Sequence, residues 1–307
     1  MIFSDLQKIV DIPTAERLNH LGKRKKLPST NKNFRSNMML NPLYLKHLNR
    51  IDSHQADMIT LNLEDAIAPS RKREALHNIA LFLSHLESSQ SFIIVRTNAL
   101  DEGGAEEIEF LNDFAFDAIR LPKVKTEIEI AQALTLLSNE KELHISLETK
   151  EAFENISSLA IDPRVTTANI GILDLLSSLG LPQSLVQLNN PTIDYILSKF
   201  LVDARSVGIL PISFMYQEYT NTDIFRQWCV KEREMGYTAK ACMGPAQVAI
   251  ANAVFGVSDK AIERAIHIKK VFERESAKGN NGFMDAQYGF IDEPIYRDAL
   301  IVLESLS

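Results

Sequence analysis

Residues 143–148 read Leu-His-Ile-Ser-Leu-Glu, residues 166–171 read Thr-Thr-Ala-Asn-Ile-Gly, and the apolar side chains of residues 151–160 between them have helical spacing. This stretch is one strand–helix–strand unit, in which two short, mostly apolar strands are joined by a helix and so run parallel. Outward from this unit the same alternation continues in both directions along the chain. The sequence therefore predicts an α/β protein with a parallel sheet.

Eight apolar runs of this kind occur, and they predict strands at residues 35–40, 58–64, 91–98, 118–123, 143–148, 166–171, 208–214 and 237–243. Helical patterns cover residues 70–89, 126–139, 151–160, 191–206, 217–235, 246–254, 258–275 and 292–305. Eight strands that alternate with helices favour closure into a (β/α)8 TIM barrel, which commonly occupies about 250 residues as one domain. An open, doubly wound sheet is the alternative.

The barrel is predicted to span residues 35–275, between an N-terminal extension and a C-terminal segment. The extension, residues 1–34, contains the basic run Lys23–Lys26, which we interpret as a solvated tail. After the barrel, Gly279-Asn-Asn-Gly282 is typical of a flexible break. We therefore expect residues 276–307 to form a helical segment that acts as a lid or an oligomerisation element.

The composition excludes several classes of protein. A net charge of -7 and a pI near 5.6 argue against nucleic-acid binding, which normally needs a basic face. No apolar run reaches the roughly 18 residues of a membrane span, and the N-terminus lacks the apolar core of a signal peptide. The two cysteines, Cys229 and Cys242, do not suggest a disulfide framework. We therefore expect a cytoplasmic protein without a membrane or nucleic-acid partner.

Two carboxylates follow neighbouring strands of the predicted barrel. Glu148 ends the fifth strand, and Asp174 follows the sixth within Asn169-Ile-Gly-Ile-Leu-Asp174. Because reactive groups in a barrel lie where the strands end, these two acids are expected at one mouth. Mg2+ typically accepts one or two protein carboxylates, so the pair predicts a magnesium site, with a helix cap or an ion pair as the alternative. Gly171 would let a substrate approach the backbone closely.

Arg96 follows the apolar stretch Phe92-Ile-Ile-Val95 at the end of the third strand. A guanidinium there can bind a substrate carboxylate through two parallel hydrogen bonds. The alternative is a salt bridge to Glu64 or Asp65, which follow the second strand. Lys123, after the fourth strand, is a weaker candidate because a lysine at a strand end often serves as a structural counter-charge.

Taken in order, these segments resemble successive motifs of the citrate lyase β-subunit-like (CitE-like) family, within the HpcH/HpaI aldolase superfamily. The motifs are Arg35-Ser36, Leu63-Glu-Asp-Ala-Ile-Ala-Pro69, Arg96-Thr-Asn98, Leu121-Pro-Lys123, Leu147-Glu-Thr149, Gly171-Ile-Leu-Asp174, Gly236-Tyr-Thr-Ala-Lys240, Pro245-Ala-Gln247, Asn252-Ala-Val-Phe255 and Phe290-Ile-Asp-Glu-Pro294. Each motif is short, but their common order makes the resemblance specific. It covers nearly the whole chain from residue 35 onward.

The resemblance implies a barrel that binds Mg2+ and works as a homotrimer or hexamer, in which a C-terminal segment reaches the mouth of a neighbouring subunit. It also implies that Asp292 is the acid/base group delivered by that neighbour. The predicted metal ligands are Glu148 and Asp174. The predicted catalytic residues are Arg96, Asp292 and Glu64, and the predicted substrate-binding residues are Arg96, Gly171, Asp65 and Lys240.

The chain departs from the family pattern at two places. Where the family usually has Gly-Lys-x-x-Ile-His-Pro near the eighth strand, this chain has Ala239-Lys-Ala-Cys-Met-Gly-Pro245, so Gly244 replaces the histidine. The seventh strand usually ends with an aspartate, whereas here it reads Pro211-Ile-Ser-Phe-Met-Tyr216. Both changes lie at the predicted mouth and bear on which acyl group is bound and whether coenzyme A is used.

Three functions are compatible with these residues. The first is a Mg2+-dependent carbon–carbon lyase that acts on a β-hydroxyacyl thioester of the citryl-CoA or malyl-CoA type. The second is an aldolase of a free hydroxy-keto acid that works through a pyruvate enolate. The third is a catalytically weak accessory or binding subunit, against which the combination of Glu148, Asp174 and Arg96 argues.

Overall fold

The computed structural model of the protein describes residues 2–3, 6–29 and 33–304. The other positions, which belong to the predicted extension and to the end of the predicted C-terminal segment, lie outside the described residues. The chain divides into two compact units. The first ends at Phe255, and the second comprises the chain from Gly256 onward together with Asn33. The barrel was predicted to end at residue 275, and the boundary between the compact units lies about one helix earlier.

All eight predicted strands of the first unit are present, each within a few residues of its expected bounds. They are β1 (Ser36–Leu40), β2 (Met58–Asn62), β3 (Phe92–Arg96), β4 (Ala118–Leu121), β5 (Glu142–Leu147), β6 (Val165–Ile170), β7 (Leu210–Ile212) and β8 (Lys240–Cys242). Each ladder is parallel, and the strands follow chain order from β1 to β7, with β8 on the other side of β1.

A single bridge joins the two edges of this sheet. Ser213, directly after β7, forms an isolated parallel bridge with Lys240. The Ser213 N–H donates to the carbonyl of Ala239, and its own carbonyl accepts from the N–H of Ala241, both at 3.0 Å. The strands therefore form a nearly closed eight-stranded barrel, which confirms the (β/α)8 prediction. The open, doubly wound alternative was wrong, because strand order in such a sheet reverses at a switch point.

Helices surround the strands. In the first unit they are α1 (Leu6–Val10), α2 (Leu45–Leu48), α3 (Lys72–His85), α4 (Gly104–Leu111), α5 (Glu127–Leu136), α6 (Lys150–Glu154), α7 (Ile172–Ser178), α8 (Pro191–Ser206), α9 (Thr222–Met235) and α10 (Pro245–Phe255). Short 3-10 segments cover Thr14–His20, Ile51–His54, Pro69–Arg71, Leu100–Glu102, Ile156–Leu159 and Gln183–Leu185. None of the helices in the described part of the chain combines the length and hydropathy needed to span a bilayer.

Local sequence signals set the ends of several helices. Thr126 and Glu129 form a capping box in which each side chain accepts a hydrogen bond from the other's backbone N–H, so α5 begins at the next residue after Thr126. Asn190 caps α8, whose first residue is Pro191. Gly236 adopts a left-handed conformation with φ of 109° and ends α9.

The barrel interior changes from apolar to polar along its axis. Side chains near the start of the strands form an apolar cluster that comprises Phe34, Met58, Phe92, Ile94, Ala118, Ile212, Ala239 and Ala241. Above it, the Asn37 side chain accepts from the Thr60 hydroxyl at 2.8 Å and donates to Asn169 at 3.1 Å. Since β1 and β6 are not neighbours, the bond between Asn37 and Asn169 crosses the barrel. The polar end is the end where the strands finish.

The N-terminal segment belongs to the same compact unit as the barrel and packs on it. Phe3 is buried in the core, and its N–H donates to the side chain of Asn49 at 2.6 Å. The interpretation of the run Lys23–Lys26 as a solvated tail was wrong for Lys26. Its ammonium is buried and lies 2.8 Å from the carboxylate of Asp117.

The second unit is a helical hairpin interrupted by a β-hairpin. Its elements are α11 (Asp259–Ser276), β9 (Gly282–Asp285), β10 (Gly289–Asp292) and α12 (Glu293–Glu304). β9 and β10 are antiparallel. The helix α12 was predicted at residues 292–305, whereas the β-hairpin was not, because residues 279–282 were interpreted as a flexible break. The unit has its own apolar cluster of Ala265, Ile268, Val271, Phe272, Ile291 and Ala299.

Candidate functional site

A buried ion pair joins the ends of β2 and β3. A terminal nitrogen of Arg96 lies 3.0 Å from Glu64 Oε2, and Arg96 Nε donates to the side chain of Asn62 at 2.7 Å. Both charged side chains are almost fully buried. Burial acts to raise the pKa of Glu64, but the guanidinium of Arg96 and hydrogen bonds from Asp65 and Lys123 overcome it and lower this pKa to about 2. The salt bridge considered as an alternative role for Arg96 is therefore present.

Lys123 connects this pair to the next strands. Its ammonium lies 2.9 Å from Glu64 Oε1, and its backbone N–H donates to Glu148 Oε2 at 3.2 Å. The hydrogen bond with Glu64 raises the pKa of Lys123 to about 12. Lys123 has a φ of 52°, which is unusual for a residue with a side chain and is stabilised here by these contacts. Lys123 is thus held firmly at the mouth.

Asp65 lies at the rim of the same cluster. Its carboxylate is exposed and lies 3.8 Å from the Lys123 ammonium. Partial burial, a hydrogen bond with Glu64 and repulsion by its charge raise the pKa of Asp65 to about 6. Neighbouring carboxyl groups therefore have very different proton affinities, as like charges in close contact require.

Glu148 is buried at the end of β5 and is in close contact with Gly171, which follows β6. A Cβ atom on residue 171 would lie 2.4 Å from Glu148 Cγ and 2.8 Å from Oε1. Burial raises the pKa of Glu148, while the guanidinium groups of Arg120 and Arg96 oppose this increase. The glycine therefore provides the space in which this carboxylate lies.

Asp174 lies in the first turn of α7, and its side chain is exposed at the mouth. It lines the same cavity as Glu148, which has a volume of about 740 Å3. The cavity extends from these acids past Lys123 to side chains of α4 and α5. The structure thus brings the two predicted metal ligands together, one buried and one accessible.

This arrangement fits a magnesium ion. Within the described ranges, no group of three or more His, Cys, Asp and Glu side chains is arranged to hold a metal. Two carboxylates from adjacent strands are nevertheless sufficient for Mg2+, which keeps several water or substrate ligands. Glu148 also fills a space that any side chain at residue 171 would close. Both the donor set and the absent Cβ are compatible with a small hard cation.

Arg120 was missed in the sequence analysis. It lies on β4 in register with Arg96 on β3, and its Nε donates to the Ser146 hydroxyl at 2.8 Å. The side chain is buried, and burial together with repulsion by Arg96 lowers the pKa of Arg120 to about 9. The available signal was a charged residue at an inward position of a short apolar strand, where an arginine is costly unless it has a function or a partner.

The structure does not bring Lys240 to this site. Ala239 and Ala241 face the barrel interior, so Lys240 points outward, where its ammonium is fully buried 2.6 Å from Glu232 of α9. The ammonium also lies 3.9 Å from the centre of the Phe214 ring. The predicted role of Lys240 in substrate binding is therefore replaced by a role in the core, as a counter-charge between strand and helix.

Asp292 ends β10 in the second unit. Its carboxylate accepts a hydrogen bond from the backbone N–H of Ile295 at 3.3 Å, in the first turn of α12. This contact identifies a local role as a helix cap. Its predicted role in the mouth of a neighbouring subunit stays a prediction.

The loops after β7 and β8 are connected through Gln247. Its side chain accepts from the N–H of Met243 at 2.7 Å and donates to the carbonyl of Tyr216 at 3.3 Å. Gly244, where the family pattern has histidine, directly follows Met243. A Cβ at Gly244 would meet nothing within 4 Å. The missing imidazole therefore leaves open space in this loop.

A barrel with paired carboxylates and guanidinium groups at one mouth is the arrangement expected of an aldolase or lyase. A model of the HpcH/HpaI aldolase/citrate lyase family matches residues 40–245, about two thirds of the sequence. The chain belongs to this family. The resemblance predicted from the ordered motifs is thereby confirmed.

Individual relatives agree with this assignment. The chain is 30% identical to a (3S)-malyl-CoA thioesterase of Cereibacter sphaeroides over 247 residues, 80% of this chain and 85% of the relative. It is 25% identical to an L-malyl-CoA/beta-methylmalyl-CoA lyase of Rhodobacter capsulatus over 253 residues, 73% of this chain and 79% of that one.

Solved structures show the same fold. A citrate lyase from Burkholderia xenovorans LB400 has a TM-score of 0.75 at 18% identity and covers 88% of this chain and 90% of its own. Protein CitE from Mycobacterium tuberculosis, in complex with magnesium, acetoacetate and coenzyme A, has a TM-score of 0.68 at 18% identity, with 88% and 97% covered. Magnesium is thus present in a solved structure with this fold.

Proposed function

We propose that this protein is a Mg2+-dependent carbon–carbon lyase that acts on a β-hydroxyacyl thioester of the malyl-CoA or citryl-CoA type. The observation that carries the proposal is the contact of Glu148 with Gly171, beside Asp174 in one cavity. Two carboxylates supported in this way suit a divalent cation, and a relative of similar length is a malyl-CoA lyase. When bound, the cation would polarise the substrate's oxygen atoms and stabilise negative charge that develops there.

The protein's own residues would bind and orient the substrate. Lys123 fixes Glu148 through its backbone N–H and Glu64 through its ammonium, so both carboxylates keep their positions without substrate. In the cleavage, the hydroxyl would give its proton to the Asp292 carboxylate of a neighbouring copy, the carbon–carbon bond breaks, and its electron pair stays on the thioester half as an enolate. The products are a keto acid and, after protonation of the enolate, a shorter acyl thioester. We assign this protonation to Asp292 of a neighbouring copy.

The size of the cavity favours a thioester over a free hydroxy-keto acid. Small-molecule sites commonly enclose about 300–1,000 Å3, and the cavity of about 740 Å3 is larger than a four-carbon acid needs. Its far wall includes apolar side chains from the segment after β3 and from α5, among them Leu100 and Leu136. This wall suits the arm that carries a thioester. We also propose a homotrimer or hexamer, on the basis of the family, and a cytoplasmic location, on the basis of the composition.

The test is product analysis with malyl-CoA and citryl-CoA, in the presence of Mg2+ or of a chelator. A lyase gives acetyl-CoA and a keto acid, whereas a thioesterase gives free coenzyme A and the hydroxy acid. We expect acetyl-CoA only with Mg2+, and at least about a hundredfold less of it from Glu148→Gln and Asp174→Asn. Asp162→Asn, which neutralises a carboxylate before β6 at the other end of the barrel, is the matched control. Turnover that persists without metal, or products of hydrolysis alone, would contradict the proposal.

A further inference from the structure

Two arginines lie side by side inside the polar end of the barrel. Arg96 and Arg120 are register partners on β3 and β4, and each side chain points into the interior with about 6% of the residue exposed. Burial of two like charges in contact is unfavourable unless anions are nearby. The question is therefore which anion each guanidinium serves.

The hydrogen bonds of the two arginines differ. Arg96 uses its Nε on Asn62 and a terminal nitrogen on Glu64, so its planar edge is occupied by protein groups. Arg120 uses its Nε on the Ser146 hydroxyl, a neutral partner. Among the residues that the structure describes, no carboxylate forms an ion pair with Arg120 and its terminal nitrogens have no acceptor. Ser146 thus fixes the plane of a buried guanidinium that has no carboxylate partner of its own.

The pairing of charges at the mouth also leaves Arg120 without an anion. Glu64 is neutralised by Arg96, and Lys123 lies between Glu64 and Asp65. Arg96 also reaches Glu148, with a terminal nitrogen 3.9 Å from Oε1, so the described carboxylates at the mouth that form ion pairs do so with Arg96 or Lys123 and none pairs with Arg120. If Glu148 and Asp174 together hold a divalent cation, neither carboxylate is free to serve as a counter-charge for Arg120. A buried guanidinium in that state needs an anion from the substrate.

We propose that Arg120 is the specificity-determining residue that binds the carboxylate of the keto acid, and of the hydroxyacyl group from which the keto acid derives. This inference rests on the proposed lyase function and adds to it the residue that recognises the free carboxylate of the substrate. Neutral β-hydroxyacyl thioesters leave Arg120 uncompensated and are excluded. Ser146 is the positioning residue that fixes the plane of the guanidinium.

The experiment is calorimetric titration of the Mg2+-saturated protein with glyoxylate, pyruvate and oxaloacetate, and separately of the metal-free protein with Mg2+. We expect Arg120→Met to bind its preferred keto acid about ten- to a hundredfold more weakly, the range for a lost charge-assisted contact. The same variant should bind Mg2+ as tightly as the wild type or more tightly, because one positive charge is removed from the polar end of the barrel. A residue with only a structural role would weaken both affinities together. Ser146→Ala should show a smaller loss of acid affinity and unchanged affinity for Mg2+.

The outcomes separate the inference from the proposed function. Equal keto acid affinity in Arg120→Met and the wild type overturns the role of Arg120 and leaves the lyase function intact. Parallel loss of acid and Mg2+ affinity also overturns it, in favour of a structural role. If the wild type binds none of the three acids, the proposed function fails together with the inference. Circular dichroism checks folding, and if Arg120→Met does not fold, wild-type acid affinity in both Arg120→Lys and Ser146→Ala overturns the proposal.

Discussion

Gly171 and Glu148 are packed so closely that the side chain of one requires the absence of a side chain on the other. The N–H of Gly171 donates to the carbonyl of Leu147 at 3.1 Å, which extends the pairing of β5 and β6 by one residue. A Cβ on residue 171 would lie 2.4 Å from Glu148 Cγ, well inside any contact distance that two carbon atoms tolerate. Because β5 and β6 are both central strands, neither backbone can move away easily.

Gly171→Ala should therefore displace the Glu148 carboxylate. Gly171 has a φ of -90°, which alanine adopts without strain, so the substitution tests space and not backbone freedom. We expect Mg2+ affinity to fall by at least about tenfold, as for a displaced metal ligand, while the barrel still folds. Isothermal titration with Mg2+ measures the change. Gly244→Ala is the control, because a Cβ at this position would meet nothing within 4 Å. If Gly171→Ala binds Mg2+ as tightly as Gly244→Ala does, the proposed metal site is contradicted.

Asp65→Asn should stabilise the protein at neutral pH. The pKa of Asp65 is raised to about 6 in the folded state from 3.8, so the folded state holds this proton more tightly than the unfolded state. Its stabilising contribution is present below about pH 4 and is lost as the pH rises through about 6. The variant should exceed the wild type in Tm by about 1–2 °C at neutral pH, and the difference should vanish near pH 4.

Glu64 provides the contrast for this measurement. Its pKa is lowered to about 2 from 4.5, so its contribution to stability is present above about pH 4.5 and is lost as the pH falls towards 2. The Tm of the wild type should therefore fall as the pH is lowered from about 4.5 towards 2. The Tm of Asp65→Asn should fall in the same way, because Glu64 is unchanged in this variant. A Tm difference between Asp65→Asn and the wild type that persists unchanged at pH 4 would show that the effect does not come from the titration of Asp65.

The fold was predictable because its signal repeats eight times. Each strand ends near a Gly, Pro or polar residue, so the count of strands and the place of Glu148, Arg96 and Asp174 at strand ends follow from the sequence. The direction of Lys240 does not. β8 has three residues, which are too few to show which face is buried, and both faces are apolar in a barrel surrounded by helices. The sequence also does not show that Arg120 on β4 contacts Ser146 on the adjacent strand β5.

Lys240→Met should destabilise the fold by about 3–5 kcal/mol, because it leaves the carboxylate of Glu232 buried without its cation. Chemical unfolding measures this loss. Leucine at position 232 in the Lys240→Met background removes the uncompensated charge and should recover much of the stability. Keto acid and Mg2+ affinities of the folded variants should equal those of the wild type. Weaker acid binding without loss of stability would instead restore the predicted role of Lys240 in substrate binding.

Asp292 can be tested by subunit complementation, which asks whether its carboxylate serves a different chain. Asp292→Asn and Glu148→Gln chains are dissociated, mixed in equal amounts and reassembled. If each mouth uses the aspartate of a neighbour, about a quarter of the mouths in a random homo-oligomer combine an intact Glu148 with an intact Asp292. We expect roughly that fraction of wild-type lyase activity, although each variant alone is inactive.

A mixture of Glu148→Gln with Asp174→Asn is the matched control, because both residues belong to one barrel and no mixed mouth is intact. If Asp292→Asn alone is active, Asp292 has no catalytic role, and its observed role as the cap of α12 is the one that remains. A mixture as inactive as its control would place Asp292 in the mouth of its own chain.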